Sequence, residues 1–262
     1  MSATTAFTTA SRPAARPGFA LGRITVTELK LTLREPSRLI RLLIPFVLMV
    51  IFGSIPFYTQ HKASLGGYSL FDDYLPILIA YALGMAALTG LATVLAGYRE
   101  KGVLRRLRTT PVGPVRVLAA QLITQLAILA VLTVVIIVVA RLGYGVFLPR
   151  QAGGFVVAAL LAAAALLAIG LLVAAVARSS QSAGGIGLLL FFPLMFFAGL
   201  FFPIPVMPHF LQHLSHATPL GAAVEALSAA WVGHWPQGLQ LWTLAAYAVG
   251  CSLAAVRLMR WE

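Results

Sequence analysis

Along the 262 residues, hydrophobic positions do not alternate with polar ones; they gather into long unbroken runs separated by short polar stretches. A helix needs about 20 mostly apolar residues to cross the hydrocarbon core, where every backbone polar group has to be paired within the segment. Six runs meet that requirement, over residues 39–58, 74–96, 115–140, 155–177, 184–202 and 238–256. The pattern predicts an all-α integral membrane protein, a bundle of six transmembrane helices.

Three stretches depart from simple spans. Residues 24–38 (ITVTELKLTLREPSR) carry Ile24, Val26, Leu31 and Leu33 in partial alternation, while Val26, Leu29 and Leu33 share one helical face. Beside an arginine-rich span, this reads as an amphipathic helix lying in the interface. Residues 98–116 (YREKGVLRRLRTTPVGPVR) place Val103, Leu104 and Leu107 in a narrow apolar stripe among arginines, and Pro111 and Pro114 end any helix there. A solvated basic loop that only sets topology is the other reading of that segment. Residues 203–237 are too long for a hairpin and too apolar for a free loop. Pro203, Pro205, Pro208, Pro219 and Pro236 divide them, and the apolar piece 220–232 is shorter than a span. Re-entrant or interfacial helices on the external side are expected, with Trp231, Trp235 and Trp242 marking the outer interface.

Lysine and arginine set the orientation. Seven precede or open the first span (Arg12, Arg16, Arg23, Lys30, Arg34, Arg38 and Arg41). Six fill the second connection (Arg99, Lys101, Arg105, Arg106, Arg108 and Arg116), Arg178 lies in the fourth, and Arg257 and Arg260 follow the last span. Only Lys62, Arg141 and Arg150 fall on the other side, so both termini are expected in the cytoplasm of a multi-pass cell-membrane protein. That placement requires an even number of spans. Hydrophobic residues make up 60% of the chain and charged residues 10%, which leaves too little polar surface for a soluble domain. Residues 1–22, rich in Ala, Ser and Thr and free of acids, read as a disordered cytoplasmic tail, and 23–262 as one membrane domain. The formal charge of +12 sits beside apolar spans, where insertion and anionic lipids account for it better than nucleic acid does. Cys251 is the sole cysteine, so an intrachain disulfide is excluded.

The chemistry visible in the sequence is sparse. No phosphate-binding Gly-x-x-x-x-Gly-Lys-[Ser/Thr] loop occurs, so the chain does not hydrolyse ATP by that route. The centres of spans two to six lack Asp, Glu, Lys and Arg, against the habit of ion-coupled transporters and intramembrane hydrolases. Thr89, Thr93, Gln121, Thr124 and Gln125 are polar and intramembrane; they line a substrate path or bond between helices, and the second use is the commoner. His209, His213 and His216 recur at helical spacing with no carboxylate or thiol close in sequence, so a solvated histidine face is expected and no metal site. Glu225 stands alone in AAVEALSAAW and reads as a gate residue or as a partner of a helix cap. The phrase FFPLMFFAGLFF, with Phe192, Met195 and Phe196, offers an adaptable apolar wall for amphiphilic cargo or a lipid-facing surface, and Pro193, Gly199 and Pro203 interrupt or end its helix.

Taken in order over residues 24–257, these features resemble the permeases of the type-2 ABC exporter family. The resemblance rests on LREPSRLIRLLIPF, on YREKGVLRRLRTTPV and on FFPLMFFAGLFFPIPVMPHFLQHLSHATPLGAAVEAL. It implies that Arg99, Glu100, Gly102, Val103, Leu104, Arg105, Arg106, Leu107, Arg108, Pro111 and Val112 form a cytoplasmic coupling helix. That helix would dock on a separate ABC ATP-binding subunit, which would carry ATP and Mg, with no cofactor on this chain. Gly199, Pro203, Pro219 and Glu225 would belong to an external gate, and Met207, Pro208 and Leu220 complete the same pattern. Two permeases would pair, as a homodimer or heterodimer, among membrane lipids and without nucleic acid. The compact form is similar to that of drug- and antibiotic-export permeases, while glycopolymer and lipid exporters share the fold and a channel without ATP coupling is the alternative of another class.

Overall fold

The computed structural model describes residues 36–56, 69–102, 114–201, 204 and 207–258, with side chains placed from Leu43 and, in the third helix, from Leu118. These residues form eight helices: α1 (Pro36–Gly53), α2 (Leu70–Glu100), α3 (Pro114–Tyr144), α4 (Ala152–Val176), α5 (Ser180–Phe197), α6 (His209–Ala217), α7 (Pro219–Val232) and α8 (Gly238–Leu258). The tail 1–22, most of the expected interface helix 24–38 and the arginine-rich stretch 103–113 lie outside the described residues.

Helix α2 is the central mast. It is buried over 83% of its most apolar window, whereas α3, α5 and α8 are buried over 28%, 22% and 17% of theirs. The outer helices turn Val131, Val134, Leu142, Leu189, Trp242 and Val256 outward. A surface so apolar needs a lipid surround. At about 1.5 Å per residue, α2 is some 46 Å long against a hydrocarbon core of about 30 Å, so its two ends reach beyond the core. It starts four residues earlier than the sequence pattern predicts, because Ser69 and Asp72 form a capping box: the Asp72 amide donates to Ser69 Oγ at 3.2 Å and the Ser69 amide to Asp72 Oδ2 at 2.8 Å.

In mid-membrane α2 relaxes into a π-helical segment, Ala86–Leu91. There it meets three neighbours through three successive carbonyls. Gln125 of α3 donates to the Ala86 carbonyl at 3.0 Å. A Cβ added to Gly170 of α4 would stand 2.3 Å from the Ala87 oxygen, and one added to Gly187 of α5 would stand 2.2 Å from the Leu88 oxygen. Because consecutive residues point in different directions around a helix, three consecutive carbonyls serve three different partners. Glycine is required at both contacts because any side chain would drive the helices apart.

Five helices, α2, α3, α4, α5 and α8, are long and apolar enough to cross a membrane among the described residues. The first expected run is a helix over Pro36–Gly53 with a turn at residues 54–55, and its last two positions, 57 and 58, lie outside the described residues. Helix α5 begins at Ser180 instead of 184, through a Ser179–Ser182 capping box, and it ends at Phe197 where Gly199 adopts φ +88°. Pro193 stays within it and does not break it. Between α5 and α8 the described residues form two α-helices, α6 and α7. Of these, α7 is about 21 Å long by its residue count, too short to cross alone. Its residues are buried on nearly every side by α2, α4, α5 and α8, so α7 is a core element of the bundle.

The glycine contacts generate a test. Gly187→Ala and Gly170→Ala should each lower the detergent-solubilised protein's thermal midpoint, consistent with about 1–3 kcal/mol of overpacking. Gly185→Ala, where an added Cβ meets nothing within 4 Å, should leave the midpoint unchanged or raise it.

Candidate functional site

The two ends of α2 carry the polar groups. At its carboxyl end Arg99 reaches across to the end of α4: Nη1 donates to the Ala175 carbonyl at 2.9 Å, and Nη2 to the Ala177 carbonyl. The neighbouring Glu100 accepts from the Ser180 amide at 2.9 Å, at the start of α5. Ser180 Oγ in turn donates to the Thr93 carbonyl at 3.1 Å. A guanidinium thus satisfies the orphan carbonyls of one helix end, while a carboxylate satisfies an orphan amide of the next helix start. Both charges have the sign that the helix dipoles favour. One dipeptide clamps the turn 177–179 from both sides. Gly102, two residues on, takes φ +65° and turns the chain out of the helix. Of the residues expected to form the coupling helix, Arg99, Glu100 and Gly102 are placed. Val103, Leu104, Arg105, Arg106, Leu107, Arg108, Pro111 and Val112 lie outside the described residues.

The amino end of α2 borders the second site. Helices α6 and α7 meet there at a tight corner, where Thr218 caps α7 by accepting from the Gly221 amide at 3.1 Å and Pro219 takes the first helical position. Ser215 Oγ donates to the Phe197 carbonyl, Tyr74 Oη donates to the Leu200 carbonyl at 2.6 Å, and Tyr247 Oη donates to the Ala217 carbonyl at 3.2 Å. These bonds tie the exit of α5 and the corner to α2 and α8. Within this frame Glu225 stands in the middle of α7, where it caps nothing in its own helix. Gln240 Nε2 of α8 donates to its Oε2 at 3.2 Å, and Gln240 Oε1 accepts from the Gln237 amide.

His216 Nδ1 of α6 lies against Glu225 Oε1. That oxygen accepts no hydrogen bond of ordinary geometry, so the contact is electrostatic and complete when the imidazole is protonated. The expectation of histidines without a carboxylate is corrected here: nine residues separate His216 from Glu225 in sequence, but the corner at Thr218 folds them together. His213 adds only a ring contact to His216, at 6.3 Å between centroids. Among the described residues no group of three potential ligands is close enough to hold a metal.

Glu225 and His216 open on a cavity of about 540 Å³. Ile77, Ala198, Ile204 and Val224 make its apolar walls, and Gly199 lines it beside them. Asp73, Gln212 and Ser228 complete the polar part. The two neighbouring acids at the start of α2 have different fates. Asp72 is buried and fully engaged, with Ser69 on one oxygen and the Phe147 amide on the other at 3.1 Å. Asp73 is exposed and faces the cavity without a hydrogen bond or ion pair among the described residues.

The residues expected along a substrate path are not gathered in this cavity. Thr89 Oγ1 and Thr93 Oγ1 donate to carbonyls of their own helix, Met85 at 2.6 Å and Gly90 at 2.9 Å. Gln125 bonds between helices, and Gln121 is buried with an oxygen that accepts nothing among the described residues. Phe192 faces outward, Met195 is fully buried, and Phe196 packs edge-on against Phe197. Of the gate residues, Pro219 starts α7, and Pro203 lies outside the described residues. Asp73, Gln212, Ser228 and Gln240 are the positions that sequence reasoning missed. Asp73 carried a readable signal, since an acidic pair opening an apolar run has one member to spare after capping.

Apolar helices around a buried mast, with polar groups held at the two ends of that mast, define a multi-pass membrane protein. The profile of the ABC-2 type transporter family matches residues 20–231, most of the chain, and the protein belongs to that family. It is therefore a transport component, a permease, of a family that normally works with an ATP-binding subunit. A comparison with the curated proteins gives no match.

The clamp makes a local prediction. Glu100→Ala should speed hydrogen exchange of the Ser180 amide severalfold while exchange within α7 stays unchanged, as mass spectrometry of the solubilised protein would report.

Proposed function

We propose that this chain is the membrane subunit of an ATP-driven exporter. It works with α1 as a sixth span, both termini in the cytoplasm, and a separate ATP-binding subunit docked on residues 98–116. That partner carries ATP and Mg, and a second permease copy completes the pathway. The observation that carries this reading, beside the family, is the Arg99–Glu100 clamp. A partner seated on the segment that follows Glu100 would pull on the end of α2, and the clamp would pass that displacement to the end of α4 and the start of α5. The length of α2 would carry it on to the cavity at Asp73. The sixteen basic residues that fall at one face of the spans support the orientation. The apolar walls and few polar groups of the cavity suit an amphiphilic cargo, as in drug or antibiotic export.

Two experiments test this. In a Cys251→Ser background, Arg105→Cys and Gln181→Cys should react with impermeant maleimide only from the cytoplasm. Ser64→Cys and His234→Cys should react only from outside, and same-sided labelling of residues 105 and 64 refutes the six-span topology. For coupling, burial of Leu107 in a partner groove contributes about 1.5–3 kcal/mol. Leu107→Asp removes that contribution and adds an unpaired carboxylate, so co-purification of the ATP-binding subunit and ATP-dependent export should both fall at least tenfold. Arg105→Gln, at the rim, should be milder. Full partner binding and export by Leu107→Asp would show that this segment does not couple, and flux without ATP would point to a channel.

A further inference from the structure

We infer that the cavity between α2, α6 and α7 is a binding site for a lipophilic organic monocation, a deepening that rests on the exporter reading. The cavity lies in the size range of drug-sized ligand sites, and most of its wall surface is apolar. Two carboxylates, Asp73 and Glu225, face it, and among the described residues no lysine or arginine lines it. Glu225 is partly answered by Gln240 and by His216. Asp73 is answered by nothing described, and it does not act in capping, because Asp72 already does so. Among the described lining residues, acids therefore outnumber bases whichever state His216 takes.

A like-charged pair on the wall of a partly desolvated, apolar space favours a cation over an anion of the same shape. The site reads charge and apolar bulk together. A cation that donates no hydrogen bond, such as a quaternary ammonium or phosphonium, is accommodated as well as a protonated amine.

Tetraphenylphosphonium and tetraphenylborate have nearly the same shape and opposite charge, and they isolate this property. With the full chain in phosphatidylcholine nanodiscs, radiolabelled tetraphenylphosphonium should bind saturably and tetraphenylborate should not. Asp73→Asn and Glu225→Gln should each weaken binding by about fivefold, the scale of one partly exposed ion pair, and the double substitution should abolish saturation. Asp73→Glu should restore it. Ser228→Lys, which places a cation in the cavity from α7, one turn from Glu225, should abolish binding even if an Asp73 variant fails to fold.

Saturable tetraphenylborate binding of equal strength would overturn the inference. So would a double variant within twofold of the parent. Charge-selective binding in a chain that exports nothing with an ATP-binding subunit would keep the site and remove the exporter reading. ATP-dependent export without charge-selective binding would keep the exporter and remove the site.

Discussion

A backbone carbonyl inside a membrane has to be met by a donor or sheltered by close packing, because lipid offers neither. The middle of α2 is organised around that constraint. Where the helix loosens into its π segment, Gln125 donates to one carbonyl, and Gly170 and Gly187 bring whole backbones against the next two. Three of the four other long helices are thereby fixed to the mast within one turn, and α7 fills the remaining side where Gly84 meets Leu220. Polar backbone groups locate the helices here; the apolar surface alone would have let them slide, since lipid tails and leucine are equivalent partners.

Both polar sites follow from that central fixing. With the middle of α2 held, its ends become the defined positions to which other elements attach. Arg99 and Glu100 take the turn between α4 and α5 at one end, while Tyr74 and Asp72 take the exit of α5 and the loop after α3 at the other. The corner made by α6 and α7 is then held over the amino end, and a cavity is left where no side chain fills the space beside Asp73. A rod with its centre gripped and both ends tied passes on a tilt more readily than a stretch.

Much of the architecture was legible in the sequence because burial in lipid writes a coarse signal: long apolar runs, a charge bias, and prolines that divide 203–237. The ends of the helices were less so. Ser69 with Asp72, and Ser179 with Ser182, lengthen α2 and α5 by capping, a side-chain effect that hydropathy does not register. The π segment left no readable mark, since AALTGL is as apolar as any span. Gly170 and Gly187 could be seen as small residues but not as contacts with particular carbonyls. Glu225 stands out in the sequence as a lone charge in an apolar run, yet its neighbours come from two other helices, and nothing in AAVEALSAAW names His216 or Gln240. Thr89 and Thr93, read as lining a path or bonding between helices, donate to carbonyls of their own helix, as a hydroxyl one turn from a carbonyl can.

A π segment also holds one residue more than the α-helix it interrupts. Everything beyond Ala92 is consequently rotated by about 100° from where an unbroken helix would put it. The orientation of Arg99 and Glu100 relative to Asp72 and Tyr74 depends on that surplus residue. Lengthening or shortening α2 by a single position would swing the clamp away from the end of α4, although composition, hydropathy and span length would hardly change. In this helix the count of residues carries information that their chemistry does not, so an insertion or deletion there is a different kind of event from one in the loops.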